Sequence, residues 1–462
     1  MMQWGFVIVF TFVCVSLFAA SILRARLRFI QRFLIPNAIT AGFIGMGLVY
    51  LTEYLFPDIM PSREVLGNIV YHLLAITFIS IALKKRTRYV DRNVVTTAFN
   101  LSLSYAVEGF IGYTITLLFL FTLMPEIFPT FGILFAVGFG QSAGHAYALG
   151  KGWEPLGFAN GGTVGLTFGS FGFLWACFVG IPFLNWGVRK GYVKDFDGAT
   201  LRNSGFLPRG RRGIPTGRST THPDAISTGS FHIAFIGSVY IVNYLFIKGV
   251  VALVGRMGSE YSSQLGQLIW AYHAPIAIMV SLLIAMLLNK LKLDHVLDDD
   301  MLTSISTASV DFLVTAAIMA IEIVVVMQYI VPILAICIVG GVTVMTLIVF
   351  LAKRSFHDYF FQRVISIFGL LTGTISTGLA LLRVIDPRYR TPVARDLALG
   401  SGLSLFFSFP LLLFINVPAL NRTVRMYLLT DLAVFAYIVM IVTVMIATRH
   451  LLPKGKLISE HL

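Results

Sequence analysis

Residues 137–150 read Val137, Gly138, Phe139, Gly140, Gln141, Ser142, Ala143, Gly144, His145, Ala146, Tyr147, Ala148, Leu149, Gly150. The run is apolar enough for a bilayer, yet glycine, hydroxyl and amide residues interrupt it. A second stretch of the same kind runs Gly369, Leu370, Leu371, Thr372, Gly373, Thr374, Ile375, Ser376, Thr377, Gly378, Leu379, Ala380, Leu381, Leu382, Arg383. Backbone that faces lipid must satisfy its own hydrogen bonds, so broken peptide at membrane depth persists only inside protein or beside a water-filled cavity. Such cavities usually belong to transport, and the two stretches predict a pair of glycine-rich hairpins inside a membrane protein.

The rest of the chain agrees with a bilayer setting. Hydrophobic residues make up 57% of the 462 and charged residues 12%, which is too apolar for a soluble multidomain chain. The net charge of +13 does not point to nucleic acid, because the basic residues sit in the gaps between apolar runs, as the positive-inside rule produces. They cluster at Arg24, Arg26, Arg28 and Arg32, at Lys84, Lys85, Arg86, Arg88 and Arg92, and along 189–218; all three clusters read as cytoplasmic. Cys14, Cys177 and Cys337 lie in apolar runs without metal-ligand spacing and read as packing residues.

A helix that crosses the ~30 Å hydrocarbon core needs roughly 20 residues. Suitable runs fall at 4–22, 33–51, 66–83, 94–122, 162–187, 231–254, 266–289, 304–326, 329–351, 397–418 and 426–448. The first run reads as an outside-to-inside helix and not a cleaved leader, since no small-residue cleavage site precedes its arginines. Threading from there keeps every basic cluster inside, provided that 131–156 is a re-entrant hairpin entered from outside and 357–386 one entered from the cytoplasm. The N-terminus is then outside and the C-terminus, with Arg449, Lys454 and Lys456, cytoplasmic.

The expected fold is therefore an all-α polytopic membrane protein built of two inverted five-helix repeats, 1–187 and 231–418, each with a Gly-rich re-entrant hairpin. A basic linker, 188–230, joins them, and 419–462 adds one extra C-terminal helix and a basic tail. Pro36 and Pro275, each early in the second helix of its half, match in register. Inverted repeats place substrate and ion sites near the midplane, where broken helices aim their terminal dipoles and free carbonyls at ligands. The linker carries eight Lys/Arg against three Asp over 188–228 and reads as a topology determinant, with anionic lipid headgroups as a second reading.

Carbonyl and hydroxyl oxygens are hard ligands that suit Na⁺ better than imidazole or sulfur does. The candidate ion-binding residues are Gly140, Ser142, Thr372, Gly373, Thr374 and Asp311, and the candidate substrate-binding residues are Gln141, Ser142, Gly144, His145, Thr374, Ser376, Thr377 and Arg383. Close packing of small residues between helices is the alternative reading of both stretches. Arg383 could hold a carboxylate bidentately or pair with Asp386. Glu108, Asp311 and Glu322 lie inside apolar runs, where an ionisable residue is costly unless it meets a partner or a cavity. Asp311 continues a polar line through Ser306, Thr307 and Ser309, and Glu108 one through Ser102, Ser104 and Tyr105. Either carboxylate could carry a proton or Na⁺, or could join helices. Asp431, in the extra helix, reads as structural, and His72, His232 and His273 as satisfied interior histidines.

Four segments resemble the bacterial sodium/glutamate symporters: Arg28 to Pro36, the Gly-Gln-Ser-Ala-Gly-His run of 140–145, the Gly162 to Gly169 helix with Thr167 and Phe168, and the Leu-Thr-Gly-Thr-Ile-Ser-Thr-Gly run of 371–378. The resemblance extends over roughly residues 1–420. It implies two inverted five-helix domains, sodium-coupled import of glutamate across a bacterial inner membrane, and a homodimer; His145 falls on the family's loop histidine. The chain departs from the family pattern at Ala146 and Tyr147 and at Thr374 to Thr377, where it has no proline. The expectation is a secondary active symporter for glutamate or another small carboxylate, driven by Na⁺ or H⁺, with no other cofactor. An ion or anion channel is the rival, since paired re-entrant loops also build filters. A membrane enzyme fares worse, because no metal-binding His/Glu helix motif or nucleophile elbow is present.

Overall fold

The structure is a computed structural model and describes residues 5–32, 35–56, 62–84, 91–193, 220, 225–256, 262–386 and 390–451. Most of the linker predicted at 188–230, the clustered Lys85, Arg86 and Arg88, and the tail with Lys454 and Lys456 lie outside the described residues.

All regular structure among the described residues is helical. In chain order the first half contains α1 (Gly5–Arg26), α2 (Arg28–Arg32), α3 (Asn37–Leu55), α4 (Arg63–Ala82), α5 (Arg92–Phe121), α6 (Ile133–Gly138), α7 (Ala143–Trp153), α8 (Gly161–Trp175) and α9 (Ile181–Arg189). The second contains α10 (Thr228–Gly255), α11 (Ser262–Ala271), α12 (His273–Lys290), α13 (Asp299–Met319), α14 (Ile323–Gln328), α15 (Ile330–Ser355), α16 (Phe360–Leu371), α17 (Ile375–Ile385), α18 (Val393–Phe414), α19 (Val417–Leu420) and α20 (Val424–Ala447). Among the described residues eleven helical stretches are long and apolar enough to cross a membrane, and they fall on the eleven runs expected from sequence. The chain is an all-α polytopic membrane protein.

Side chains at the helix starts explain several boundaries. Asp91 accepts from the Val94 N–H at 3.0 Å and Asp298 from the Met301 N–H at 2.8 Å, each satisfying a donor that the first turn leaves open. Between α8 and α9 the helix widens to a π-turn over Ala176–Gly180, just before Pro182, which has no N–H to donate back.

Two expectations need correction. The run 266–289 is not one continuous helix: α11 ends at Ala271 and α12 starts at His273, because Pro275 can neither donate to the carbonyl four residues back nor clear it. Glu322 is not inside a spanning helix. It occupies extended backbone in the break between α13 and α14, half-exposed, 3.9 Å from the Arg63 guanidinium, which also bonds Glu53 at 2.9 Å. Tyr50 Oη accepts the Ile323 N–H at 2.8 Å in the same break. A chain that must turn at the bundle end exposes backbone donors, and the acidic residue belongs there for the same reason.

The helices pack as two groups. One holds α1, α3 and α4 from the first half with α10, α12 and α13 from the second, with α13 lying against both α3 and α4. The other is centred on α5, which contacts α6, α15, α16, α18 and α20; α6, α7 and α8 pack together beside it. Helix ends sort into two sets. At one end the Arg63 cluster, the Phe131–Tyr329 contact (5.2 Å), the Phe128–Phe158 stack (4.5 Å) and the bond from Arg422 to the Leu156 carbonyl come together. At the other, Arg395 pairs with Asp91, Arg92 bonds the Arg449 carbonyl, and His232 Nε2 accepts the Asp298 N–H at 2.8 Å.

Candidate ion and substrate site

The segment 131–158 starts and finishes at the first of these ends, where Phe128 stacks on Phe158. Between them the chain goes inward through α6, breaks over Phe139–Ser142 and returns as α7. Ser142 is extended (φ −173°, ψ 148°) and its Oγ accepts from the His145 N–H at 3.1 Å, so it caps α7. The second segment is broken in a similar way. Helices α16 and α17 pack on each other, their outer parts share an apolar cluster with Phe361, Ile385 and Val393, and the break falls at Thr372–Thr374. Thr374 is extended (φ −147°, ψ 172°) and accepts from the Thr377 N–H at 3.4 Å, capping α17.

Glycine lets these pieces approach. On α8, Gly161, Gly165 and Gly169 recur every fourth residue and meet Gly150, Ala146 and Ala143 of α7 in antiparallel order; a Cβ on Gly165 would overlap the Ala146 carbonyl. One turn further, Gly172 faces both breaks at once. A Cβ there would lie 2.9 Å from the Thr372 carbonyl oxygen and 3.1 and 3.2 Å from the Cα and carbonyl oxygen of Phe139. The breaks at Phe139 and Thr372 therefore converge on the same short stretch of α8.

Two sets of candidate residues lie around this point. Gly140, Gln141, Ser142, Gly144 and His145 belong to the first turn and the start of α7; Thr372, Gly373, Thr374, Ser376 and Thr377 belong to the second turn and the start of α17. Ser142, His145 and Thr372 are buried, while Thr374 and Ser376 are half-buried. Arg383 and Asp311 are not gathered with them. Arg383 is exposed on the third turn of α17, and Asp386 accepts from the backbone N–H groups of Arg390 (2.8 Å) and Thr391 (3.0 Å). On α13 it is Leu313 that touches α7, 3.2 Å from where a Gly144 Cβ would sit; Asp311, two residues away, points to another face.

His145 is buried, with Nδ1 2.8 Å from Gln141 Oε1. In that orientation the amide oxygen accepts, the proton sits on Nδ1, and Nε2 is left as an acceptor without a partner among the described residues. Edge-on to the ring lies Tyr272, at the α11–α12 break, whose hydroxyl accepts from Asn416 Nδ2 at 2.7 Å; Asn416 Oδ1 in turn accepts from Trp153 Nε1 at 2.9 Å. The helix break at Tyr272 thus supplies a polar wall to the first turn. Of the three histidines expected to be interior and satisfied, His232 is buried and engaged at both ring nitrogens, by the Thr228 carbonyl (2.7 Å) and the Asp298 N–H (2.8 Å). His72 is instead exposed and bonds the Tyr240 hydroxyl (2.7 Å), and buried His273 meets the Tyr71 carbonyl through Nε2 (2.8 Å) while its Nδ1 has no partner among the described residues. Asp431 accepts from Thr114 at 3.1 Å, a helix-to-helix contact.

Two features were not assembled from sequence. The first is contact between Glu108 on α5 and Gly140 in the first turn: the carboxylate occupies the space that a Gly140 side chain would fill. Both the residue pattern on α5 and the glycine were visible, but not their meeting. The second is a buried ionic cluster at the start of α16. Arg363 on α16 is 1% exposed and lies 3.0 Å from both Asp396 (1% exposed) and Asp358, with Phe356 beneath its guanidinium; Arg395 then joins Asp396 to Asp91. A lone arginine in an otherwise apolar helix was the available signal, since such a charge demands a buried partner.

Chemically, the convergence offers main-chain carbonyls, two capping hydroxyls and two helix starts whose open N–H groups favour an anion. No protein-family model matches the chain, and no curated protein or solved structure matches it.

Proposed function

We propose that this chain is a secondary active transporter, a divergent relative of the bacterial sodium/glutamate symporters, that carries glutamate or another small carboxylate by alternating access. The observation that carries this reading is the meeting of two hydroxyl-capped, broken turns at Gly172. Oxygen ligands from the breaks would bind Na⁺, and the starts of α7 and α17 would hold the carboxylate by their N–H groups.

In this reading 1–187 and 231–418 are inverted five-helix repeats, and 131–156 and 357–386 are re-entrant hairpins. The packing supports it, since each helix group draws corresponding helices from both halves: the third helices α4 and α13 touch in one group, the fourth helices α5 and α15 in the other. The group with the hairpins would move, and the group around α13 would serve as scaffold in a homodimer. The end that gathers Asp91, Arg92, Arg395 and Arg449 would face the cytoplasm of a bacterial inner membrane, with the N-terminus outside.

Uptake into proteoliposomes tests the proposal, with imposed Na⁺ or proton gradients and a panel of amino acids and dicarboxylates. Saturable accumulation that follows one gradient is expected. Unsaturable flux independent of either gradient would replace the transporter with a channel.

A further inference from the structure

Glu108 stands apart from every other carboxylate among the described residues. It is 0% exposed, it makes no ion pair, and neither Oε1 nor Oε2 has a hydrogen-bond partner among those residues. The remaining buried carboxylates, Asp386 and Asp396, accept two or more bonds each. Glu108 also does not point into ordinary core. Its Oε2 lies against the backbone of Gly140, in the break that leads to Ser142.

Sequence and packing fix this meeting. Three residues of α5 on one side, Glu108, Gly109 and Gly112, face α6 and its following turn: Gly112 abuts the Gly132 carbonyl, Gly109 faces Ala136 and Glu108 meets Gly140. Any side chain at 140 would displace the carboxylate. On the neighbouring turns of α5, Ser102 bonds the Ser404 carbonyl at 3.1 Å and accepts from Ser408 at 3.2 Å, so the polar groups of α18 are already engaged. The titratable group beside Glu108 is Tyr105, one turn earlier. On the elements packed against α5, Arg363, Asp396 and Arg395 belong to the ionic cluster at the start of α16, Asp431 accepts from Thr114, Arg354 lies over Phe350 and Lys353 near Phe360; Arg425 is exposed on the first turn of α20.

A carboxylate anion buried without donors has lost its hydration and gained nothing in return, whereas a neutral acid can occupy the same place at far lower cost. We propose that Glu108 is a proton-binding site whose occupancy is coupled to the seating of the first hairpin on α5. With the turn seated, the carboxyl is protonated; when the turn moves off, water reaches Glu108, the proton leaves, and the anion resists reseating. Each reseating then requires one proton from the side to which the site is open. This rests on the transporter reading only for its role in the cycle; the proton site itself does not.

Infrared difference spectroscopy on the purified full chain in liposomes tests it, comparing wild type with Glu108→Gln, and with Glu108→Asp should the glutamine variant not fold. Wild type at neutral pH should show a carboxylic-acid carbonyl band that is lost in Glu108→Gln, moved in Glu108→Asp, shifted by deuterium exchange, and indifferent to NaCl replacing KCl. Absence of an acid band assignable to residue 108 overturns the proposal. A band abolished by Na⁺ at constant pH also overturns it and makes Glu108 a sodium ligand. In the uptake assay Glu108→Gln should retain exchange of internal for external substrate and lose at least tenfold in gradient-driven accumulation. If wild type shows the band but transports nothing in the panel, the transporter reading fails while the proton site stands.

Discussion

Gly172→Ala should destabilise the protein although it adds one methyl group and removes a helix-weakening glycine. The new Cβ would lie 2.9 Å from the Thr372 carbonyl oxygen and 3.1 Å from Phe139 Cα. Both neighbours are backbone, which cannot rotate away as a long side chain does, so one of the two turns must shift. Overpacking of this kind costs about 1–3 kcal/mol, and rigid neighbours place it in the upper half of that range. Alanine returns only ~0.5–1 kcal/mol of helix propensity, so the net effect is a loss of ~1–2 kcal/mol. Gly47 provides the control: it lies in α3 with nothing within 4 Å of its Cβ position, so Gly47→Ala should be neutral or stabilising by that propensity alone. Thermal unfolding of the detergent-purified proteins, followed by loss of the monodisperse peak, should rank Gly172→Ala below wild type and Gly47→Ala at or above it. Gly172→Val, with more volume against the same backbone, should fall lower still. Equal stability of Gly172→Ala and Gly47→Ala would refute the convergence of the two turns on α8.

Other expectations follow from particular contacts. Arg363→Met takes from buried Asp396 its one buried cationic partner and leaves it only the exposed Arg395, and should cost about 3 kcal/mol, the lower end of the range for breaking a buried pair, whereas Arg363→Met combined with Asp396→Leu should recover most of that loss in the same unfolding assay. Ser142→Ala and Thr374→Ala each remove a helix cap worth about 1 kcal/mol, and should also raise the Na⁺ concentration needed for half-maximal uptake; unchanged Na⁺ dependence in both variants would leave the turns as packing elements. His450, just beyond α20, lies 2.7 Å from the Thr96 hydroxyl, and burial, then the charge of Arg92, hold its imidazole below the ordinary value. A lowered histidine favours the folded state while neutral, so its contribution is present above pH 6.5 and is lost as the pH falls below that value. His450→Gln should flatten the acid side of the stability profile, and an unchanged profile would exclude His450 as its origin.

The eleven spanning helices were legible because crossing a bilayer imposes a local requirement, about 20 apolar residues in a row, that any single stretch either meets or does not. The helix caps are equally local in origin, since Ser142, Thr374, Asp91 and Asp298 act on donors three residues away, but it was the structure that placed them at helix starts. Breaks governed by tertiary context were harder. Tyr272 interrupts 266–289 through a proline three residues on, and Glu322, counted as intramembrane from its apolar neighbours, marks the place where the chain turns at the bundle end.

By itself, then, the sequence determined that the protein is a helical membrane protein with two glycine-broken segments, since hydrophobic length, charge placement and backbone satisfaction are all properties of consecutive residues. Which distant residues share a site was decided only in three dimensions. Gly172 looks like any other member of a glycine-rich helix until Phe139 and Thr372 arrive on either side of it. Glu108 and Gly140 are 32 positions apart in the chain, and nothing in either neighbourhood encodes their contact. The physical reason is that a close approach depends on the shapes of both surfaces, and one run of residues describes only its own.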